Sequence, residues 1–168
     1  REHMAKPLWE ISDVEWRVGI DVNLTSAFYC SRAVSEHMVK RGSGKIINVA
    51  SGFGLRGGRD NYMYAAGKGG IVNFTRVLAT SLSRYGVIAT CVVPGFIDTT
   101  EQGGKSGRGE FIPIGRTGRA EEIGPVMVYL ASDVSNYTNG ALFMLDGGAL
   151  AGGYAPTGFT LSGASTAG

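Results

Sequence analysis

Lys45-Ile-Ile-Asn-Val-Ala50 is a short, largely apolar run rich in β-branched residues, and it predicts a strand buried on both faces of a parallel sheet. On its N-terminal side, Leu24, Ala27, Phe28, Ser31, Val34 and Met38 recur at intervals of three and four. They lay one stripe along a helix from Leu24 to Arg41, which Gly42 and Gly44 end. Further upstream, Ser12 followed by Glu15 is a capping-box pattern, predicting a short helix from Asp13 to Ile20. Downstream, a glycine-rich loop from Gly52 to Gly58 leads into a second long helix, Asn61 to Tyr85, with Gly86 as its cap. Val87 to Val93 is the next buried strand and Pro94-Gly95 stops it. A polar stretch from Thr100 to Gly109 precedes a helix from Ala120 to Ser132, in which Pro125 conflicts with an interior position. Ala141 to Leu145 is the last strand, before Asp146-Gly-Gly148. Helices alternating with apolar strands predict crossover units and a parallel sheet covered by helices, an α/β fold.

The 168 residues suffice for one domain with its own core. Sixteen basic and 14 acidic residues leave a net charge of +2, without the one-sided basic stripe that a nucleic-acid partner requires. No apolar run approaches the roughly 20 residues that span a bilayer. Cys30 and Cys91 lie among apolar neighbours with no metal-ligand spacing, so both are read as reduced core residues and no metal site is expected. Arg1 to Pro7 has no apolar signal core, and a cytoplasmic setting is expected. Glycine is abundant, 27 residues, and seven of these fall from Gly147 to Gly168, where no charged residue follows Asp146. Residues 149–168 are therefore set apart from 1–148 as a weakly structured or partner-docked extension.

Three residues carry a chemical reading. Tyr64 and Lys68, four apart, share one face of the second long helix, and Ser51 ends the first strand. A free tyrosine has a pKa near 10 and is a poor base at neutral pH. An ammonium one helical turn away, in a site of low dielectric, favours the phenolate. A serine hydroxyl at the strand end can hold a substrate oxygen beside it. Together they make a proton donor and acceptor for interconverting carbonyls and alcohols, although a Tyr-x-x-x-Lys pair alone recurs by chance as surface decoration.

The surrounding run adds weight. Asp21-Val-Asn-Leu24, Gly44-Lys-Ile-Ile-Asn-Val-Ala-Ser51, Tyr64-Ala-Ala-Gly-Lys68, Pro94-Gly-Phe-Ile-Asp-Thr99 and Gly140 to Gly148, in this order and spacing, resemble the short-chain dehydrogenase/reductase family over about residues 8 to 148. The resemblance implies a Rossmann-type doubly wound parallel sheet, NAD or NADP as cofactor, and a small carbonyl or alcohol substrate. It implies the catalytic set Asn23, Ser51, Tyr64 and Lys68: Tyr64 as acid/base, Ser51 positioning the substrate oxygen, Lys68 acting on the tyrosine and on the nicotinamide ribose, Asn23 holding a relay water. Tyr64, Lys68, Pro94, Gly95, Ile97 and Thr99 would contact the cofactor. It also implies a homo-oligomer, dimer or tetramer, built through the two long helices. The plainer alternatives are a helix or turn cap for Asn23, loop packing for Ser51 and a helix cap for Thr99.

Two look-alikes are set aside. Gly52-Phe-Gly-Leu-Arg-Gly57 spells G-x-G-x-x-G, but Gly58 and Arg59 intervene before any helix and no acidic residue lies between Gly70 and Gly95. Ala66-Gly-Lys-Gly69 lacks both the first glycine and the Ser or Thr of a P-loop, and Tyr62 lies on another helical face from Lys68. The family's opening strand, glycine-rich turn and helix, which hold the pyrophosphate, have no counterpart here, and Thr99 to Ile112 is shorter than the family's substrate lid. The expectation is thus the catalytic half of an NAD(P)-dependent oxidoreductase; the alternative is an inactive remnant serving as an oligomerisation or interaction module. Phe53, Leu55 and Phe96 suggest an apolar carbonyl compound or acyl chain, with 3-oxoacyl thioesters and sugars or polyols as comparable guesses.

Overall fold

The computed structural model describes residues 6–99 and 107–152. The helices are α1 (Asp13–Ile20), α2 (Ser26–Arg41), α3 (Tyr62–Leu82) and α4 (Gly124–Ala131); the strands are β1 (Gly44–Val49), β2 (Val87–Pro94), β3 (Ile97–Asp98), β4 (Gly118–Arg119) and β5 (Leu142–Leu145). β1, β2 and β5 form one parallel sheet in that order, with Gly44 opposite Val87 and Cys91 opposite Leu142. β3 and β4 make a separate two-stranded parallel pair.

Local chemistry explains most of these elements. The Ser12 side chain accepts from the Glu15 amide and the Glu15 carboxylate accepts from the Ser12 amide, closing the capping box at the start of α1. Gly42 and Gly86 take left-handed conformations, φ 71° and 74°, which end α2 and the turn after α3. Pro125 lies in the first turn of α4, after a 3-10 turn over Ala120–Glu122, so its missing N–H is one that no helix would bond. The single predicted helix is therefore two pieces, and the proline conflict disappears.

The core lies between the sheet and α3. Ala50, Ile71, Val72, Cys91 and Val93 form one buried cluster, joined by Leu24, Ala27 and Leu142. Ile46, Ala79, Val87 and Ala89 form another, joined by Met38, Val39, Leu78 and Leu82. Between them Asn48, a polar residue inside β1, is satisfied by Thr75 at 2.9 Å, and Thr75 in turn donates to the Ile71 carbonyl at 2.8 Å. Lys45, in the alternate set of β1, reaches Ser135 at 2.9 Å, so the chain after α4 lies over the other face.

Three expectations need correction. β2 is buried on both faces, but β1 is not: Ile46 and Asn48 are buried while Val49 is exposed. Among the described residues β1 pairs only with β2, so its other edge is open, and Val49 at the end of that edge strand is exposed. Cys91 is a core residue, whereas Cys30 sits on the exposed side of α2 and is not. The stripe along α2 is likewise partial, since Phe28 and Val34 are exposed. The glycine-rich tail from residue 153 onward and most of the stretch between Thr99 and Ile112 lie outside the described residues. Among the described residues, no helix is long and apolar enough to cross a membrane.

Candidate active site

The carboxyl ends of β1 and β2 deliver two loops to the same place, and α3 runs beside them. At the end of β1 the Ala50 amide bonds the Val92 carbonyl at 2.9 Å, holding the exit of the strand in register. Ser51 follows in extended conformation and is nearly buried. Its hydroxyl accepts from the Phe53 amide at 3.2 Å, opening a 3-10 turn over Gly52–Gly54.

This turn packs directly on α3. A Cβ at Gly54 would lie 2.7 Å from the Lys68 carbonyl, so only glycine allows the approach. The Phe53 ring meets the Tyr64 ring edge-on with centroids 6.4 Å apart, and the Phe96 ring edge-on at 6.1 Å. Ser51, Tyr64 and the 94–97 loop are thereby gathered around one aromatic residue.

Lys68 is half-buried, and its ammonium donates to the Val49 carbonyl at 3.0 Å while lying 5.7 Å from the Tyr64 ring centroid. Burial lowers its pKa from the ordinary lysine value, and Cys91 nearby opposes that shift. The ammonium is therefore tied to the end of β1 and placed one turn from the phenol, as the helical spacing predicts.

Asn23 approaches α3 from the junction of α1 and α2. It sits within a π-helical turn, Asp21–Thr25, inserted between α1 and α2, and its side-chain amide donates to the Gly19 carbonyl at 2.9 Å. Such turns often mark functional positions in helices. A Cβ on Gly67 would lie 2.6 Å from the Asn23 Cβ, so the glycine preceding Lys68 is what lets this turn touch α3.

The loop after β2 is tied down on both sides. The Gly95 amide donates to the Leu145 carbonyl and the Gly118 amide to the Phe96 carbonyl, each at 2.9 Å. Ile97 pairs with Gly118, and Thr99, exposed, closes the described segment. Beyond Ile97 a cleft of about 290 Å³ is lined by Ile114, Met144 and Asp146, with the Arg116–Glu122 ion pair at its wall. Sequence reasoning did not find this cleft, the π-helical turn or the contacts of Gly54 and Gly67; the glycines at 54 and 67 were the only signals. Among the described residues no cluster of His, Cys, Asp and Glu could hold a metal ion.

A parallel sheet with helices packed on it and its candidate groups at the carboxyl ends of the strands is the arrangement of the doubly wound α/β proteins, which bind their ligands at that end. Comparison with known proteins makes this specific. Residues 1–149 match the family model described as enoyl-(acyl carrier protein) reductase. The chain is 40% identical over 137 residues to a 3-oxoacyl-[acyl-carrier-protein] reductase of Synechocystis sp., covering 80% of this chain and 56% of that protein. Among solved structures it superposes with a TM-score of 0.80 on a gluconate 5-dehydrogenase from Burkholderia cenocepacia in complex with NADP and tartrate, at 30% identity, covering 88% of this chain and 60% of that one. An acetoin dehydrogenase from Salmonella typhimurium gives the same TM-score, 0.80, at 28% identity and the same coverages, 88% and 60%. The chain belongs to the short-chain dehydrogenase/reductase family, whose members use NAD(P). It spans 56–60% of the length of these relatives.

The residues present fit the nicotinamide end of such a cofactor. Lys68 and Tyr64 supply an ammonium and a hydroxyl on one helix face, and the loop after β2, at the sheet's carboxyl end, reaches the same Phe53 ring as Tyr64 through Phe96. Among the described residues nothing plays the part of a phosphate-binding turn, since the 52–57 loop packs on α3 instead of opening a helix toward a ligand.

Proposed function

We propose that this chain is the catalytic part of an NAD(P)-dependent oxidoreductase that interconverts a carbonyl and a secondary alcohol. NAD(P), when bound, accepts or supplies the hydride. The Tyr64 hydroxyl gives or takes the proton at the substrate oxygen, and the Ser51 hydroxyl holds that oxygen. Lys68 holds the ribose and favours the phenolate through its charge; Asn23 positions a water behind it; Pro94, Gly95, Ile97 and Thr99 line the nicotinamide. The pyrophosphate-binding turn is assigned to the part of the relatives' length that the chain does not cover. A cytoplasmic setting fits this reading.

The observation that carries the proposal is the convergence on Phe53: its amide donates to the Ser51 hydroxyl, and its ring meets both the phenol of Tyr64 and Phe96 of the loop after β2. The substrate follows the named relatives only as a class, a small hydroxy or oxo compound. A self-associating protein is supported by exposed Phe28, Tyr29 and Val77 on α2 and α3, with Phe28 against Phe74.

The test is Tyr64→Phe in the protein with its complete dinucleotide site. Turnover should fall by about 10²- to 10⁴-fold, the usual worth of a positioned acid or base, with an unchanged melting temperature. Turnover within a few-fold of the parent overturns the assignment.

A further inference from the structure

We propose that the buried Asn48–Thr75 pair is a positioning device for the proton-transfer site: it fixes where α3 lies along β1, and thereby how the Ser51 hydroxyl stands to the Tyr64 hydroxyl. The inference rests on the oxidoreductase reading above and adds two positioning residues to it. Asn48 stands three residues before Ser51, on the strand that delivers the serine. Thr75 stands on α3 in the series Tyr64, Lys68, Ile71, Thr75, whose spacings of four, three and four keep all of them on one side of the helix. The Asn48 side-chain amide donates to the Thr75 hydroxyl at 2.9 Å, and that hydroxyl donates to the Ile71 carbonyl at 2.8 Å, one turn nearer the site.

Apolar contacts alone leave this register loose. On the same face of β1 as Asn48, Ile46 shares one buried cluster with Ala79, and Ala50 shares the other with Ile71. A step of two along the strand, roughly 6.6 Å, thus accompanies a step of four back along the helix, roughly 6 Å. Each flanking pair joins a small residue to a large one and is non-directional, so α3 could shift against β1 with little loss of apolar burial. The amide–hydroxyl pair cannot follow such a shift. Its length tolerates about 0.5 Å, and a buried amide left without an acceptor is costly. Thr75 is wholly buried and Asn48 nearly so, which removes solvent as a substitute partner. Closer to the chemistry the same two elements meet where the Lys68 ammonium donates to the Val49 carbonyl at 3.0 Å and where Gly54 abuts the Lys68 carbonyl. Lys68 is a long flexible arm and Gly54 belongs to a loop, so Asn48–Thr75 is the short tie between strand and helix. A substrate oxygen shared by two hydroxyls needs both within hydrogen-bond reach at once, and a misplacement of about 1 Å can cost 10²-fold in rate.

The experiment uses the protein with its complete dinucleotide site and the double variant Asn48→Leu/Thr75→Val, which replaces both partners by apolar side chains of similar shape and leaves no buried group unpaired. Its urea midpoint should stay close to the parent's. Its kcat for reduction of methyl acetoacetate by NADH or NADPH should fall by about 10- to 100-fold, with KM and the cofactor dissociation constant within about 3-fold. Thr75→Val alone should lose at least as much, and Thr75→Ser, which puts the hydroxyl back, should recover kcat to within about 3-fold of the parent. Parent-like kcat in the double variant overturns the proposal, as does a loss that Thr75→Ser shares in full; the comparison of Thr75→Val with Thr75→Ser decides the matter if the double variant does not fold. A second measurement does not depend on turnover: a crystal structure of the double variant. Displacement of α3 along β1 by about 0.5 Å or more, the tolerance of a productive site, supports the positioning role even if the parent does not reduce methyl acetoacetate, in which case it is the oxidoreductase reading that fails on this substrate. A smaller displacement overturns the positioning role.

Discussion

Replacing one hydrogen of Gly67 by a methyl group would place a carbon 2.6 Å from the Cβ of Asn23, well inside contact distance. Neither partner can yield cheaply, because Gly67 is inside α3 and Asn23 is inside a helical turn bonded to Gly19. Gly67→Ala should therefore cost about 1–3 kcal/mol, the usual range for overpacking, even though alanine is the better helix former. Urea unfolding monitored by circular dichroism checks this, and a variant as stable as the parent would show that the two helices separate freely. Ser51, Tyr64 and Lys68 were legible in the sequence because strand end and helical period place them without reference to the rest of the fold. Gly67 and Gly54 were not, since their contacts depend on what crosses above them in space.

Between the small strand pair and α4, one carboxylate organises a whole segment. Glu122 accepts two bonds from the Arg116 guanidinium, at 2.7 and 2.8 Å, and one from the Arg119 amide at 2.8 Å. The Arg116 guanidinium, and then the Arg119 amide, hold its pKa down to about 2. A carboxylate depressed in this way contributes stability that is fully present above its ordinary value of 4.5 and is lost as pH falls through about 2. Glu122→Gln should thus lower the melting temperature at pH 7, and the curves of variant and parent should converge as pH approaches 2. Parallel curves over that range would mean that the charge of Glu122 is not what holds the segment. Pro125 illustrates the opposite kind of legibility: the sequence located the irregularity, and only the structure shows that it is a helix start. β3 and β4, two residues each, are too short to carry any period and could not be read in advance.

For the molecule as a whole, exposed apolar side chains are distributed unevenly. Phe28, Tyr29 and Val77 lie on the outward side of the long helices, with the Arg32 guanidinium 5.0 and 5.2 Å from the first two rings. If this surface is where copies meet, Tyr29→Glu should shift the particle toward monomer in multi-angle light scattering, while an unchanged mass would exclude the surface. A second apolar line, Val14, Val18 and Val22, runs along α1 and the π-helical turn at intervals of four, and with Val49 at the open edge of β1 it marks where the described fold is thinly covered. The α/β class and the order of the main strands followed from the alternation of apolar runs and helical stripes. The uneven covering of β1 did not, because a strand's own residues do not say whether a neighbour will lie beyond it.

The parallel arrangement of β1, β2 and β5 also bears on how the chain acquires its shape. No two of these strands are joined by a hairpin, and each pairing brings together residues about forty to fifty positions apart. Nothing can zip outward from a local turn, so the rate of assembly is set by closing long loops. On a ribosome the sheet must wait for Leu142–Leu145 to emerge before its third strand can be laid down, leaving β2 with one side bare through much of synthesis.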